Sequence, residues 1–251
     1  MTTLPAVPPG TVPADSLTVG LAHANSVPAD SVPAAVPGAS VLPVLGLRIT
    51  AGPIELRGMA DDLIWRLGEL AAKGVRAPDA PPFTMTPWTL ALPEEVPLLL
   101  AQMFWARRAD FSTARWTASL AAFADGQLAG FVSLMAQDYL ITRTAATASW
   151  LGVDFHGRGI GTAMRQVLCA FAFDHLDAEY LMSEAFADNH ASLAVSRKLG
   201  YTEQARKRLA RLGEPATSVE LMLTRDRLVR YEHPHTVAGL AGFRRSIALD
   251  V

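Results

Sequence analysis

One stretch narrows the possible folds more than any other. Ser149-Trp-Leu-Gly-Val153 reads as a strand, His156-Gly-Arg-Gly-Ile-Gly-Thr162 follows as a glycine loop, and an apolar helical pattern then runs to about His175. A strand that feeds a helix through such a loop leaves the first-turn amides without partners inside the helix, and the glycines let an anion approach them. Gly157, Gly159 and Gly161, with Arg158 and Thr162 as polar donors, are therefore candidate ligands for a phosphate; the plain alternative is a tight connection. Two nucleotide motifs fail on spacing. No Gly-Lys-Ser/Thr ending is present, and the glycines do not fall as Gly-x-Gly-x-x-Gly with an acidic residue about twenty positions on.

The surroundings divide the chain. Residues 1–45 hold eight of the 17 prolines, two charges (Asp15 and Asp30) and no aromatic residue, so they are expected to form a disordered Pro/Ala-rich extension. Alternating apolar residues predict strands over Leu47–Thr50 and Ile54–Arg57, and helical spacing predicts a helix from Asp61 to Lys73. The proline-rich stretch 75–92 is too long for an ordinary connection and carries Phe83 and Trp88, which are candidates for a substrate-binding wall. A helix from about Pro93 to Asp110, a hairpin of Trp116–Phe123 and Leu128–Leu134 turning at Asp125-Gly126, and a strand over Thr147–Val153 complete this half. The domain is expected to span 46–228, with 229–251 as a C-terminal tail.

Charge and cysteine content exclude several classes. A net charge of −2 gives no footprint for nucleic acid and no polybasic segment for a membrane, and no run is long and apolar enough to span one. The lone cysteine, Cys169, sits in an apolar helix pattern and reads as core, and nothing resembles a secretory leader; a cytoplasmic location is expected. His233-Pro-His235 lacks a third nearby ligand, so no metal is expected.

A second motif follows the glycine loop. Tyr180–Ala187 reads as a strand, Asp188-Asn189 opens a short helix, and Lys198-Leu-Gly-Tyr201 closes it. The loop together with this segment resembles the GNAT superfamily of acyl-coenzyme A dependent N-acyltransferases. The pattern Gln/Arg-x-x-Gly-x-Gly/Ala is matched by His156 through Gly161, with His156 in the first place; Ser192, three residues after Asn189, is similar to the ribosomal-protein N-acetyltransferase (RimL-like) branch. The resemblance covers about residues 46–228 and is strongest over 147–201.

The resemblance implies an α/β fold with a mixed, mostly antiparallel sheet flanked by helices, and a splayed strand pair that binds the coenzyme. It implies transfer of an acetyl group from acetyl-CoA, as co-substrate, to a primary amine of a peptide or small molecule by direct attack. The backbone of Leu151 and Val153 would meet the pantetheine arm, the loop His156–Thr162 the pyrophosphate, Asn189 the pantetheine amides, and Arg197 or Lys198 the adenosine phosphate. Glu184 is the candidate general base and Ser192 the candidate thiol partner, since Ser196 replaces the tyrosine many relatives use. A strand carboxylate is also an ordinary surface group, and a serine can simply pack on its helix. Transfer of a succinyl or other acyl group, guided by Arg208 or Arg211, and a non-catalytic coenzyme A binding module remain as alternatives. A homodimer is compatible with all of these.

Overall fold

The computed structural model describes residues 36–76, 80 and 87–250. Nine strands form one sheet: β1 (Arg48–Ala51), β2 (Ile54–Gly58), β3 (Arg115–Ala124), β4 (Gln127–Gln137), β5 (Thr144–Leu151), β6 (Tyr180–Phe186), β7 (Thr202–Arg211), β8 (Glu214–Thr224) and β9 (Thr236–Ala238). Their order is β7-β8-β6-β5-β4-β3-β2-β1-β9, and every pairing is antiparallel except β5 with β6. The helices are α1 (Asp61–Ala72), α2 (Val96–Ala109), a single turn α3 (Tyr139–Thr142), α4 (Ile160–His175), α5 (His190–Leu199) and α6 (Leu240–Ser246). No helix of the described residues is long and apolar enough to cross a membrane.

Period-two alternation explains how one sheet serves two cores. On β3, Trp116, Ala118, Leu120 and Ala122 face the core shared with α4, whereas Ala121 and Phe123 join Leu63, Leu67, Leu100 and Phe104 beneath α1 and α2. Both layers are closed by local chemistry legible in the sequence. Asp125 and Gly126 each take positive φ (49° and 75°), as the two-residue β3–β4 hairpin requires. The Asn189 side chain caps α5 by accepting from the Ser192 N–H at 3.1 Å. Gly200 ends that helix at φ 100°, where a Cβ would stand 2.0 Å from the Arg227 carbonyl oxygen, so both conformation and space exclude a larger residue.

Both chain ends of the described fold differ from the boundaries expected of the sequence. Residues 1–35 of the expected extension lie outside the described residues, but Val36 onward turns onto the domain, and Val44 is buried in its core. The expected tail is part of the domain. β9 pairs with β1, and α6 buries Phe243 and Ile247 completely, Phe243 lying 5.7 Å from Trp116 edge to face. Short segments with one or two apolar anchors carry too little periodicity to be read as structure without the groove that receives them.

The histidines of this last segment also have a structural role. Nε2 of His235 lies 3.0 Å from Nε2 of His175 on α4, and burial, followed by the charge of His175, holds the His235 pKa below the ordinary 6.5. Among the described residues no group of three or more metal-type ligands occurs. Because the unfolded chain binds this proton more readily, stability contributed by neutral His235 is complete above about pH 6.5 and is lost as pH falls into the window below it. The melting temperature should therefore fall between about pH 7.5 and 5.5, above the range where carboxylates titrate, and His235→Gln should flatten that fall. An unchanged slope in the variant would remove His235 from the account.

Candidate active site

β5 and β6 pair only over Thr144–Ala146 with Tyr180–Met182 and then diverge, while β5 stays on β4 and β6 stays on β8. The Thr147 hydroxyl closes the fork by donating to the Met182 carbonyl (3.2 Å). Beyond it the Gly152 N–H reaches the Ala129 carbonyl (2.9 Å), which makes Gly130 and Leu151 a non-hydrogen-bonded pair. The main-chain groups of Ser149 and Leu151 consequently face away from β4, into the gap. A cleft of about 510 Å³ occupies it.

The cleft has two different sides because side chains alternate along β5 and β6. On the α4 side lie the glycine loop, Thr162, Ser183, Asn189 and Ser192. On the α1/α2 side lie Trp88, Met103, Arg107, Phe131 and Trp150. Glu184, next to Ser183 on β6, points to the side opposite it and lines the cleft there; its carboxylate accepts a hydrogen bond from the Ser218 hydroxyl.

The loop presents an unusual run of free donors. The amides of Thr162 and Ala163 both reach the Gly159 carbonyl (3.0 and 3.1 Å), whereas no described main-chain acceptor takes the five amides from Gly157 to Gly161. Gly157 and Gly159 have φ of 72° and 79°, and a Cβ on either would meet nothing within 4 Å. Successive free N–H groups at the start of a 16-residue helix, with open space before them, form an anion seat.

Several of the expected ligands border the cleft and others do not. Leu151, His156, Gly157, Gly159, Gly161, Thr162, Asn189, Ser192, Glu184 and Trp88 all line the cleft. Val153 does not: it lies past the end of β5 in a turn of 3₁₀ helix, and its N–H is taken by the Gly74 carbonyl at 3.1 Å. Ser149, two residues before Leu151 on the same edge, is the strand residue that faces the gap. The Leu151 carbonyl is already taken by His156 Nε2 (3.1 Å). Arg158 is directed over the Phe155 ring, 5.6 Å from its centroid, and neither it nor Arg197 borders the cleft; Lys198 does. Asn189 spends its carbonyl oxygen on the helix cap, which leaves its amide N–H groups for a ligand. Phe83 lies outside the described residues.

The basic run after Tyr201 is a solvated strand face. Arg206 pairs with Glu203, Lys207 with Glu220, and Arg211 with Asp188, and neither Arg208 nor Arg211 lines the cleft. Cys169 is fully buried, and burial pushes its thiol up to about 11, so it stays protonated and inert. Sequence reasoning missed Arg165, which borders the cleft on the α4 side. Only 5% exposed, it donates to Ser196 (3.0 Å) and Ser183 (3.3 Å) and lies over the Tyr201 ring. Ser196, at the place where relatives carry tyrosine, is thereby turned into the core.

The family model for the acetyltransferase (GNAT) domain matches residues 66–202, more than half of the chain. The chain belongs to the GNAT acetyltransferase family. Its GNAT domain is 33% identical to YdaF of Bacillus subtilis (strain 168), provisionally named a ribosomal N-acetyltransferase, over 84 residues that make up 34% of this chain and 45% of YdaF. The match thus spans just under half of that relative. Among solved structures, Mycobacterium smegmatis RimJ in complex with CoA-disulfide superposes with a TM-score of 0.55 at 16% identity, covering 80% of this chain and 92% of that one. RimL, a ribosomal L7/L12 alpha-N-protein acetyltransferase in complex with coenzyme A, superposes with a TM-score of 0.54 at 18% identity, covering 70% and 97%. At these identities the likeness establishes the fold. GNAT acetyltransferases use acetyl-CoA.

Proposed function

We propose that this chain is an acetyl-CoA dependent N-acetyltransferase acting on a primary amine, with a peptide α-amino group or a small amine as acceptor. The run of amides from Gly157 to Gly161, for which no main-chain acceptor is described, opening beside the splayed edge of β5 and a cleft of this size, carries the reading. The amides hold the pyrophosphate, Ser149 and Leu151 extend their edge to the pantetheine arm as to an added strand, and the Asn189 amide N–H groups meet its carbonyls. Lys198, on the rim, faces the adenosine phosphate. When bound, acetyl-CoA supplies the activated acyl carbonyl.

The remaining roles fall to residues at the middle of the cleft. Glu184 accepts the proton of the attacking amine, directly or through one water, with Ser218 holding its carboxylate. Ser192, whose main-chain N–H is committed to the helix cap, keeps its hydroxyl for the leaving sulfur. An α-amine with a pKa of about 7.7–8.0 is partly neutral near pH 7, whereas a lysine-type amine of about 10.4 is not, so one carboxylate base with no tyrosine acid favours the former. Arg208 and Arg211 stand away from the cleft, so they do not guide an acidic acyl group, and acetyl is the acyl group proposed. YdaF and RimL are named for ribosomal proteins, which supports a peptide amine, and a cytoplasmic site of action fits that substrate.

Release of free coenzyme thiol from acetyl-CoA in the presence of an amine panel tests the reading, with coenzyme binding measured alongside by calorimetry. Thiol release that depends on an amine is the expected result. Tight coenzyme binding without release for any amine would favour the non-catalytic binding module, and absence of binding would overturn both.

A further inference from the structure

The α1/α2 side of the cleft holds polar hydrogens with nothing to receive them. Trp88 Nε1, Trp150 Nε1 and Arg107 Nη1 are each buried without a hydrogen-bond partner, and all three residues line this one wall. They form a connected group: the Trp88 and Trp150 rings are 5.5 Å apart, Trp150 lies 6.3 Å from Phe131, and the Arg107 guanidinium stands 5.5 Å from the Phe131 centroid. Burial alone pulls the pKa of Arg107 down, with no carboxylate acting on it. Orphaned buried donors are uncommon and each costs about 1–3 kcal/mol, more when the group is charged. Two aromatic faces next to the guanidinium recover part of that cost, but leave the Nη1 hydrogens unanswered.

The opposite sign is present in the same cleft. Glu184 lines it with a carboxylate, so an acceptor entering from this side meets a carboxylate for its amine, the Arg107 side chain with two indole rings beside it, and otherwise apolar walls. We infer that the acceptor end recognises a carboxylate, and that the preferred acceptor is an amine bearing one within a few bonds. A free amino acid with an apolar side chain and a peptide with an acidic residue beside its amino end share this chemistry. The inference rests on the acetyl-transfer reading for the amine but not for the carboxylate.

The test uses the coenzyme A-loaded protein and probes that separate the two. Phenylalanine and phenylalaninamide differ in the carboxylate, 3-phenylpropionate has the carboxylate without an amine, and alanyl- and aspartyl-containing dipeptide amides with the variable residue second supply the peptide arm. Because the amines differ in basicity, the quantity read is the change on substitution in the kcat/KM ratio of each charged acceptor to its neutral partner. Arg107→Met should lower the phenylalanine or the aspartyl ratio about tenfold and raise the Kd of 3-phenylpropionate about tenfold, as loss of one charge-assisted bond predicts. Which ratio falls identifies the acceptor as amino acid or peptide. Arg107→Lys should retain part of the preference, and Trp150→Phe, which keeps the ring and removes one N–H, should lower it about threefold. These variants decide the matter if Arg107→Met does not fold. Ratios that stay constant in every folded variant, with 3-phenylpropionate binding unaltered, would overturn the inference. Amine acetylation that never occurs while 3-phenylpropionate binding still depends on Arg107 would instead overturn the acetyl-transfer reading and leave the carboxylate site standing.

Discussion

Gly159→Val should lower affinity for coenzyme A about 100-fold or more while the protein stays folded. The native φ of 79° belongs to the left-handed region, which costs a residue with a Cβ about 1–2 kcal/mol, and a branched one more. That strain alone would lower the melting temperature by a few degrees. The larger effect comes from position, since the new side chain projects into the open space before the free amides of residues 157–161. Losing two amide bonds to a charged phosphate, each worth about 1.5–3 kcal/mol, gives a fall of about 100-fold or more. Gly213 supplies the control. It turns the β7–β8 hairpin at φ 84°, also with open space around its Cβ position, and lies away from the cleft. Gly213→Val should therefore lose comparable stability and keep its coenzyme affinity. Calorimetric titration of both variants measures the difference, and equal affinities for the two would remove the phosphate seat from the loop.

Glu184→Gln should reduce kcat/KM at neutral pH by about 100-fold, within the range typical of a positioned general base. The size of the defect should depend on pH in a definite direction. Below the pKa of the acceptor amine the substrate is an ammonium and must lose a proton to the enzyme; above it the neutral amine attacks unaided. The loss should accordingly shrink as pH rises through about 8 for a peptide α-amine and through about 10 for a lysine-type amine. The glutamine is close to isosteric, and Ser218 can donate to its carbonyl oxygen as it does to the carboxylate, so the strand needs no rearrangement. A pH–rate profile of both proteins on one amine of each kind reads this out. A defect that stays constant with pH would show that Glu184 positions the acceptor and takes no proton.

Much of the architecture was legible because it is written in local chemistry. The β3–β4 turn follows from Asp125-Gly126, α5 from Asn189 and Gly200, and the start of α4 from a strand running through glycines; each depends on neighbours within a few residues. The candidate base, Glu184, was legible from its place on a strand beside the motif. Contacts between distant segments were not. Val153 looked like strand until its N–H was found committed to Gly74, nearly eighty positions earlier, and Arg197 and Lys198 were interchangeable until the pitch of α5 put Lys198 on the rim.

By itself the amino-acid sequence determined the family, the strand–loop–helix junction at residues 147–175 and the strand and short helix that follow it, since helix caps, tight turns and glycine junctions are set by short-range sterics and hydrogen bonding. Only the tertiary structure decided that β9 and α6 belong to the domain, that Arg211 is spent on Asp188, and that Arg107, Trp88 and Trp150 share one wall with unanswered hydrogens. An arginine in the last turn of a helix reads locally as a cation at the negative end of a dipole. Whether it meets water, a carboxylate or an aromatic chamber depends on which strands the fold brings beside it, and sequence spacing carries no record of that distance.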